Sequence, residues 1–109
     1  MAAVIVGLPV LALGLPATTA AAATVGTVTI HSLKPNSRPN SITAGPDEAL
    51  WFTNTGHNQI GRITTAGELT GYPGQKSGYP HSITAGPDGA MWFTNYNGSS
   101  LGRITTADG

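Results

Sequence analysis

Three histidines, five acidic residues and no cysteine make up the main reactive inventory of this chain. His81 holds the most telling position among them. It follows Pro80 and precedes Ser82, whereas the matching stretch 41 residues earlier reads Pro39, Asn40, Ser41. A neutral imidazole at such a place can act as a general base, hydrogen-bond a carbonyl or ligate a metal. The structural alternative is a histidine that is solvated or bonded into its own loop. His31 and His57 have no partner that the sequence names. Asp47 and Asp88 each follow Gly-Pro, where an aspartate bonds the backbone N–H groups of its own turn, with Gly89 supplying a positive φ. Arg62 and Arg103 recur in step with them and are expected to bond carbonyls or the acidic turn. Tyr72, Tyr79 and Tyr96 could line a pocket, although aromatic residues near turns more often pack. His81 is thus the one candidate for substrate binding; no catalytic residue and no metal ligand is assigned.

The elements that position His81 follow from a repeat. Residues 41–67 read SITAGPDEALWFTNTGHNQIGRITTAG, and residues 82–108 read SITAGPDGAMWFTNYNGSSLGRITTAD, so Ser41 and Ser82, Trp51 and Trp92, Arg62 and Arg103 share one offset of 41. That period, with short apolar runs separated by Gly, Pro, Asn and Asp, predicts an all-β chain of four-stranded β-propeller blades, about two of them. Strands are expected at Ser41 to Ala44, Leu50 to Thr53, Gln59 to Thr64 and Glu68 to Tyr72, and the second copy repeats the first three. In Leu50-Trp51-Phe52 and Met91-Trp92-Phe93 apolar residues follow one another without alternation, as a strand buried on both faces requires. Trp51 and Trp92 are expected in the core. The entry to each innermost strand, where Asn40 and His81 stand, lies at one mouth of a propeller's central channel.

Residues 1–23 are apolar and small. They read as a secretory signal peptide, with Val4 to Leu15 as the apolar region and Ala21, Ala22 and Ala23 at the cleavage site. No Lys or Arg precedes Lys34, so the usual positive charge ahead of the apolar region is absent. A membrane anchor is the alternative, against which Pro9 and Pro16 interrupt the run. The expected organisation is a signal over residues 1–23, an outer strand and crossing over 24–40, a first repeat over 41–81 and an incomplete second repeat over 82–109. Within residues 24–40, TVGTVTIHS from Thr24 to Ser32 alternates β-branched residues and reads as a strand, either the outermost of a preceding blade or the one that closes a ring by pairing with the last blade, and Lys34 to Asn40 is the crossing.

Charged residues are only 9% of the chain and the formal net charge is zero. Nothing there attracts nucleic acid or an anionic membrane surface. Without cysteine, neither disulfides nor thiolate metal sites exist. Repeats of this kind bury their faces only against neighbours, and about three or more are usual for stability. Two would leave bare apolar blade faces, so further blades or self-association are expected to cover them, and the chain reads as an amino-terminal piece of a longer propeller.

The phrases ITAGPDGAMWFTN, IGRITTAGELTGYP and PHSITAG resemble those of the streptogramin B lyases, also called virginiamycin B lyases, over Thr24 to Gly109. The resemblance implies a seven-bladed propeller that opens the macrocyclic lactone of type B streptogramins by elimination at the ester, using a magnesium ion and a histidine base. It places His81 in the family's Pro-His-x-Ile-Thr motif. It also marks departures. Asn54 and Asn95 stand where family members often carry glutamate, and Tyr79 stands where an acidic residue precedes the catalytic histidine. His81 therefore matches a substrate-contacting histidine better than the base, and magnesium ligands would lie in other blades. Two readings follow: part of a secreted lyase acting on a small macrocyclic lactone, inactive in isolation, or a non-catalytic secreted propeller that binds a polymer or a protein partner.

Overall fold

The computed structural model describes residues 24–76 and 78–107. The signal segment expected over residues 1–23 lies outside them. The chain divides into two units after Ile30. In the described part of the first, a turn is closed by Thr27 N–H donating to the Thr24 carbonyl.

From His31 onward the described residues form two antiparallel sheets. The first blade runs β1 (Pro39–Ala44), β2 (Leu50–Asn54), β3 (Gln59–Ile63) and β4 (Leu69–Pro73) as four neighbouring strands in that order. The second runs β5 (Pro80–Ala85), β6 (Met91–Asn95) and β7 (Leu101–Ile104). A 3₁₀ turn, Thr55–His57, links β2 to β3. Strand boundaries agree with the sequence reading to within two residues at each end. The outer strand expected over Thr24 to Ser32 does not form: no ladder includes these residues. Its β-branched alternation supplies propensity, but a strand also needs a neighbour to accept its backbone hydrogen bonds.

Each blade is pinned internally by the same three residues. Asp47 Oδ1 accepts from the Trp51 indole at 2.9 Å, while Oδ2 accepts from Arg62 Nε at 2.8 Å. In the second blade Asp88 accepts from Trp92 at 3.0 Å and from Arg103 at 2.8 Å. The guanidinium then lies over the indole, 5.9 Å from the ring centroid in the first blade and 5.7 Å in the second, within cation–π range. The register makes this possible, because Trp51 is directly opposite Arg62 and Trp92 opposite Arg103. Phe52 faces Gly61 across the same ladder, and its ring lies where a Cβ on that glycine would stand. Any side chain at Gly61 would displace the ring.

The core is the seam between the blades. Trp51 and Ile60 from the first blade meet Ile83, Met91 and Phe93 from the second, with Tyr72 stacked on Trp51 at 5.7 Å between centroids. Equivalent positions show what the seam covers. Ile83 is 6% exposed and Ile42 61%; Trp51 is 1% exposed and Trp92 38%. Trp92 is thus only partly in the core, contrary to expectation, because it lies on the blade face that no described residue covers. The alternation of β6, buried at Met91, Phe93 and Asn95 and exposed between, has the same cause.

Two outcomes follow. Truncating Ile83 to Ala in this chain removes buried seam contacts and is expected to cost about 2–5 kcal/mol, while Ile42→Ala stays within about 0.5 kcal/mol. Equal losses in urea unfolding would mean that the seam is not the core. The aspartates set the acid response. Burial works to raise Asp47, but bonds from Trp51, Arg62 and the turn backbone outweigh it and hold the carboxyl below the ordinary 3.8. Asp88 is held well below that value by Trp92, Arg103 and the Ala90 N–H. Groups depressed in the folded state contribute stability above their unfolded pKa and lose it as pH falls through the folded one. The stability gap between the wild type and the double variant Asp47→Asn, Asp88→Asn is therefore expected to narrow below about pH 4. A gap of constant size between neutral pH and acid unfolding would contradict the assignment.

Candidate functional site

His81 stands at the start of β5, and the local backbone explains how it is presented. The β1–β2 ladder pairs Pro39 with Asn54 and resumes only at Ile42 with Phe52; the β5–β6 ladder slips in the same way between Pro80 and Ile83. An irregularity of this kind takes a residue out of the pairing and turns its side chain outward. Asn40 and His81 are the residues so displaced. The slip also releases backbone groups, which threonine side chains recover: Ser41 N–H donates to Thr53 Oγ1 and Ser82 N–H to Thr94 Oγ1, each at 3.1 Å.

The first blade then holds the His81 backbone from two sides. Thr53 Oγ1 donates to the His81 carbonyl at 2.9 Å, Asn40 Nδ2 to the same carbonyl at 2.8 Å, and Thr55 Oγ1 to the Pro80 carbonyl at 2.6 Å. Thr53 is fully buried; Asn40 and His81 are exposed. The imidazole lies against Tyr96, with ring centroids 5.6 Å apart and a tilt of 37°, and its Nε2 is 3.4 Å from Asn40 Nδ2. Asn40, His81 and Tyr96 thus make a polar and aromatic ledge across one end of the seam. The sequence pointed to His81 and named Asn40 only as its counterpart, and Tyr96 only as one of three tyrosines.

The remaining sequence candidates are structural. His57 Nε2 is 2.8 Å from the Pro35 carbonyl and braces the first crossing. His31 lies beside Gly67, away from the ledge. Tyr72 packs on Trp51, and Tyr79 takes a positive φ of 54° while its carbonyl accepts from Tyr96 N–H. Asn58 had drawn no notice, yet its amide donates to the Gln75 carbonyl and accepts from Tyr79 N–H, tying the second crossing to the first blade. A groove of about 340 Å³, lined by Leu33, Ser37, Phe52 and Asn54 among others, does not include the ledge residues. The equivalent Phe93 and Asn95 are buried in the second blade, where Phe93 joins the seam core, so this groove is a blade-packing face.

Magnesium calls for hard oxygen donors, chiefly carboxylates. Among the described residues no three His, Asp or Glu side chains come together, and Asp47 and Asp88 are committed to arginine and indole partners. Asn54 and Asn95 bring amides without charge. The described residues do not fit a magnesium site.

The Virginiamycin B lyase family model matches residues 16–109. Among solved structures, selenomethionine-substituted virginiamycin B lyase from Staphylococcus aureus is 45% identical with a TM-score of 0.62, over 66% of this chain and 25% of its own. A streptogramin B lyase structure is 48% identical with a TM-score of 0.63, over 67% of this chain and 25% of its own. A catalytically inactive histidine-to-alanine variant of the Staphylococcus aureus enzyme with quinupristin matches at 45% identity and a TM-score of 0.62. The chain spans about a quarter of the length of these structures.

Replacing Thr53 by Val tests the clamp on His81. The change leaves Ser41 N–H without its acceptor and is expected to cost about 1–3 kcal/mol, with faster amide exchange at Ser41. Unchanged stability and unchanged Ser41 protection would show that the hydroxyl bridges nothing.

Proposed function

The chain belongs to the virginiamycin B lyase family, and from that membership we propose that it forms the His81-bearing part of a propeller that opens the lactone ring of type B streptogramins by elimination. The observation that carries this reading is the 45–48% identity to lyase structures, one of them holding quinupristin, joined to the ledge of Asn40, His81 and Tyr96. Identity at that level over two blades supports a common propeller scaffold. The ledge supports a common use for it.

The geometry bears on the role of His81. Its backbone is clamped to the neighbouring blade, its ring is supported by Tyr96, and its side chain is exposed. This suits a group that contacts a ligand through a hydrogen bond and an aromatic edge. Among the described residues no carboxylate bonds its ring to stabilise an imidazolium during proton abstraction, so His81 is assigned to binding and not to base catalysis. The base, and the ligands of the magnesium ion that the family implies, belong to parts of the protein outside the described residues. Export is part of the same proposal and rests on the apolar segment over residues 1–23, which suits an enzyme that meets its antibiotic outside the cell.

The native polypeptide carrying this sequence is expected to linearise a type B streptogramin in the presence of magnesium without adding water to the ester. Replacing His81 by Ala is expected to raise KM up to about tenfold, the worth of one neutral hydrogen bond, while kcat changes little. An intact macrocycle after prolonged incubation would end the lyase reading. Saturable streptogramin binding without turnover, still weakened by the same substitution, would place the protein among binding propellers.

A further inference from the structure

The Asn40 amide and the His81 ring together fix a property of the site that residue identities alone leave open. The atom of Asn40 that lies 2.8 Å from the His81 carbonyl must be the amide nitrogen, since a carbonyl oxygen only accepts. That contact sets the orientation of the amide. The same nitrogen lies 3.4 Å from His81 Nε2. An amide nitrogen carries two hydrogens and no acceptor capacity, so a proton on Nε2 would oppose N–H to N–H. The favourable arrangement leaves the lone pair on Nε2 and the proton on Nδ1.

We infer that Asn40 is a positioning residue that holds neutral His81 in the Nδ1–H tautomer, so that the ring offers a hydrogen-bond donor to an oxygen of the ligand and no free basic nitrogen at Nε2. In neutral imidazole one nitrogen donates and the other accepts, and the partner of one decides the role of the other. Here Nε2 is occupied by Asn40, and Nδ1 has no hydrogen-bond partner among the described residues. Tyr96 restricts the ring's rotation from one side, and the clamps of Thr53 and Thr55 on the adjoining carbonyls fix the backbone from which it projects. The ligand class that this selects is an acceptor, such as an ester or amide carbonyl; a cation or a ligand presenting only N–H groups would be rejected. The inference deepens the binding role proposed for His81 and rests on it for its purpose, though the tautomer itself does not depend on any ligand.

Long-range ¹H–¹⁵N correlation spectra of the native polypeptide, recorded above the histidine pKa, separate the two tautomers by the nitrogen that carries the proton. His81 is identified by its loss in His81→Ala. Nδ1 is expected to be the protonated nitrogen. In Asn40→Asp the carboxylate can only accept, so the tautomer is expected to invert to Nε2–H. In Asn40→Ala the preference for Nδ1–H is expected to be lost. A wild-type ring protonated at Nε2, or a spectrum unchanged in both variants, overturns the inference. The two readings fail separately. An Nδ1–H ring in a protein whose quinupristin affinity ignores His81→Ala upholds the tautomer and removes the binding role. An Nε2–H ring in a protein that loses affinity on that substitution does the reverse.

Discussion

A buried threonine hydroxyl cannot go unpaired without a cost of about 1–3 kcal/mol, and Thr53 solves that constraint by joining one blade to the next. It receives Ser41 N–H from its own blade and gives its proton to the His81 carbonyl of the neighbour. Both halves are necessary. Without the slip in the β1–β2 ladder, Ser41 N–H would be committed to strand pairing; without the second blade, the hydroxyl would have no acceptor. Thr94 shows the first half alone: it accepts Ser82 N–H at the same 3.1 Å, but it is exposed and finds no acceptor for its own proton among the described residues. The backbone irregularity that turns His81 outward is thus also what links its carbonyl into the fold.

The two kinds of bonding in the molecule divide by what they depend on. The aspartate, tryptophan and arginine set lies within a single blade, and its distances hardly differ between a blade packed on its trailing face and one exposed there. Burial does not create it. Register creates it, by placing each tryptophan opposite an arginine and within reach of the turn. The apolar seam behaves in the opposite way. The same isoleucine is buried at 83 and exposed at 42, so its contribution belongs to the pair of blades and not to either one. Blades of this type therefore hold a defined internal geometry while relying on neighbours for most of their apolar burial.

How much of this was legible in the sequence depends on whether a feature recurs. The offset of 41 placed seven strands and the acidic turns, because two copies of a pattern fix its period. Gly89 even explains its counterpart. Its φ of 80° marks a left-handed turn position, and Glu48 takes the same turn at 65° although its side chain gives no hint of it. Thr24 to Ser32 failed for a related reason: alternation records a preference for extended backbone, whereas a ladder requires a partner that alternation cannot supply. Asn58 and Thr55 escaped notice because they occur once. Their partners are backbone carbonyls and an N–H, which carry no residue-type signal at all.

Three of the positions where the copies differ converge on one place. Asn40 faces His81, Thr55 holds the Pro80 carbonyl where its counterpart Tyr96 supports the imidazole, and Asn58 anchors the crossing where its counterpart is Ser99. Divergence there alters the hydrogen bonding as well as the side chains. In the first blade Asn54 Oδ1 accepts Arg38 N–H and its amide reaches Ser37. In the second, the equivalent N–H on Tyr79 is taken by Asn58, Gly78 replaces the serine, and buried Asn95 Oδ1 has no partner among the described residues. A repeat that sacrifices a satisfied amide to hold one crossing against its neighbour has given up the local optimum that the other copy keeps. The gain is that Pro80 and His81 are fixed from the first blade while the His81 ring remains open, which is the geometry a ligand-contacting residue needs at a seam between two otherwise interchangeable blades.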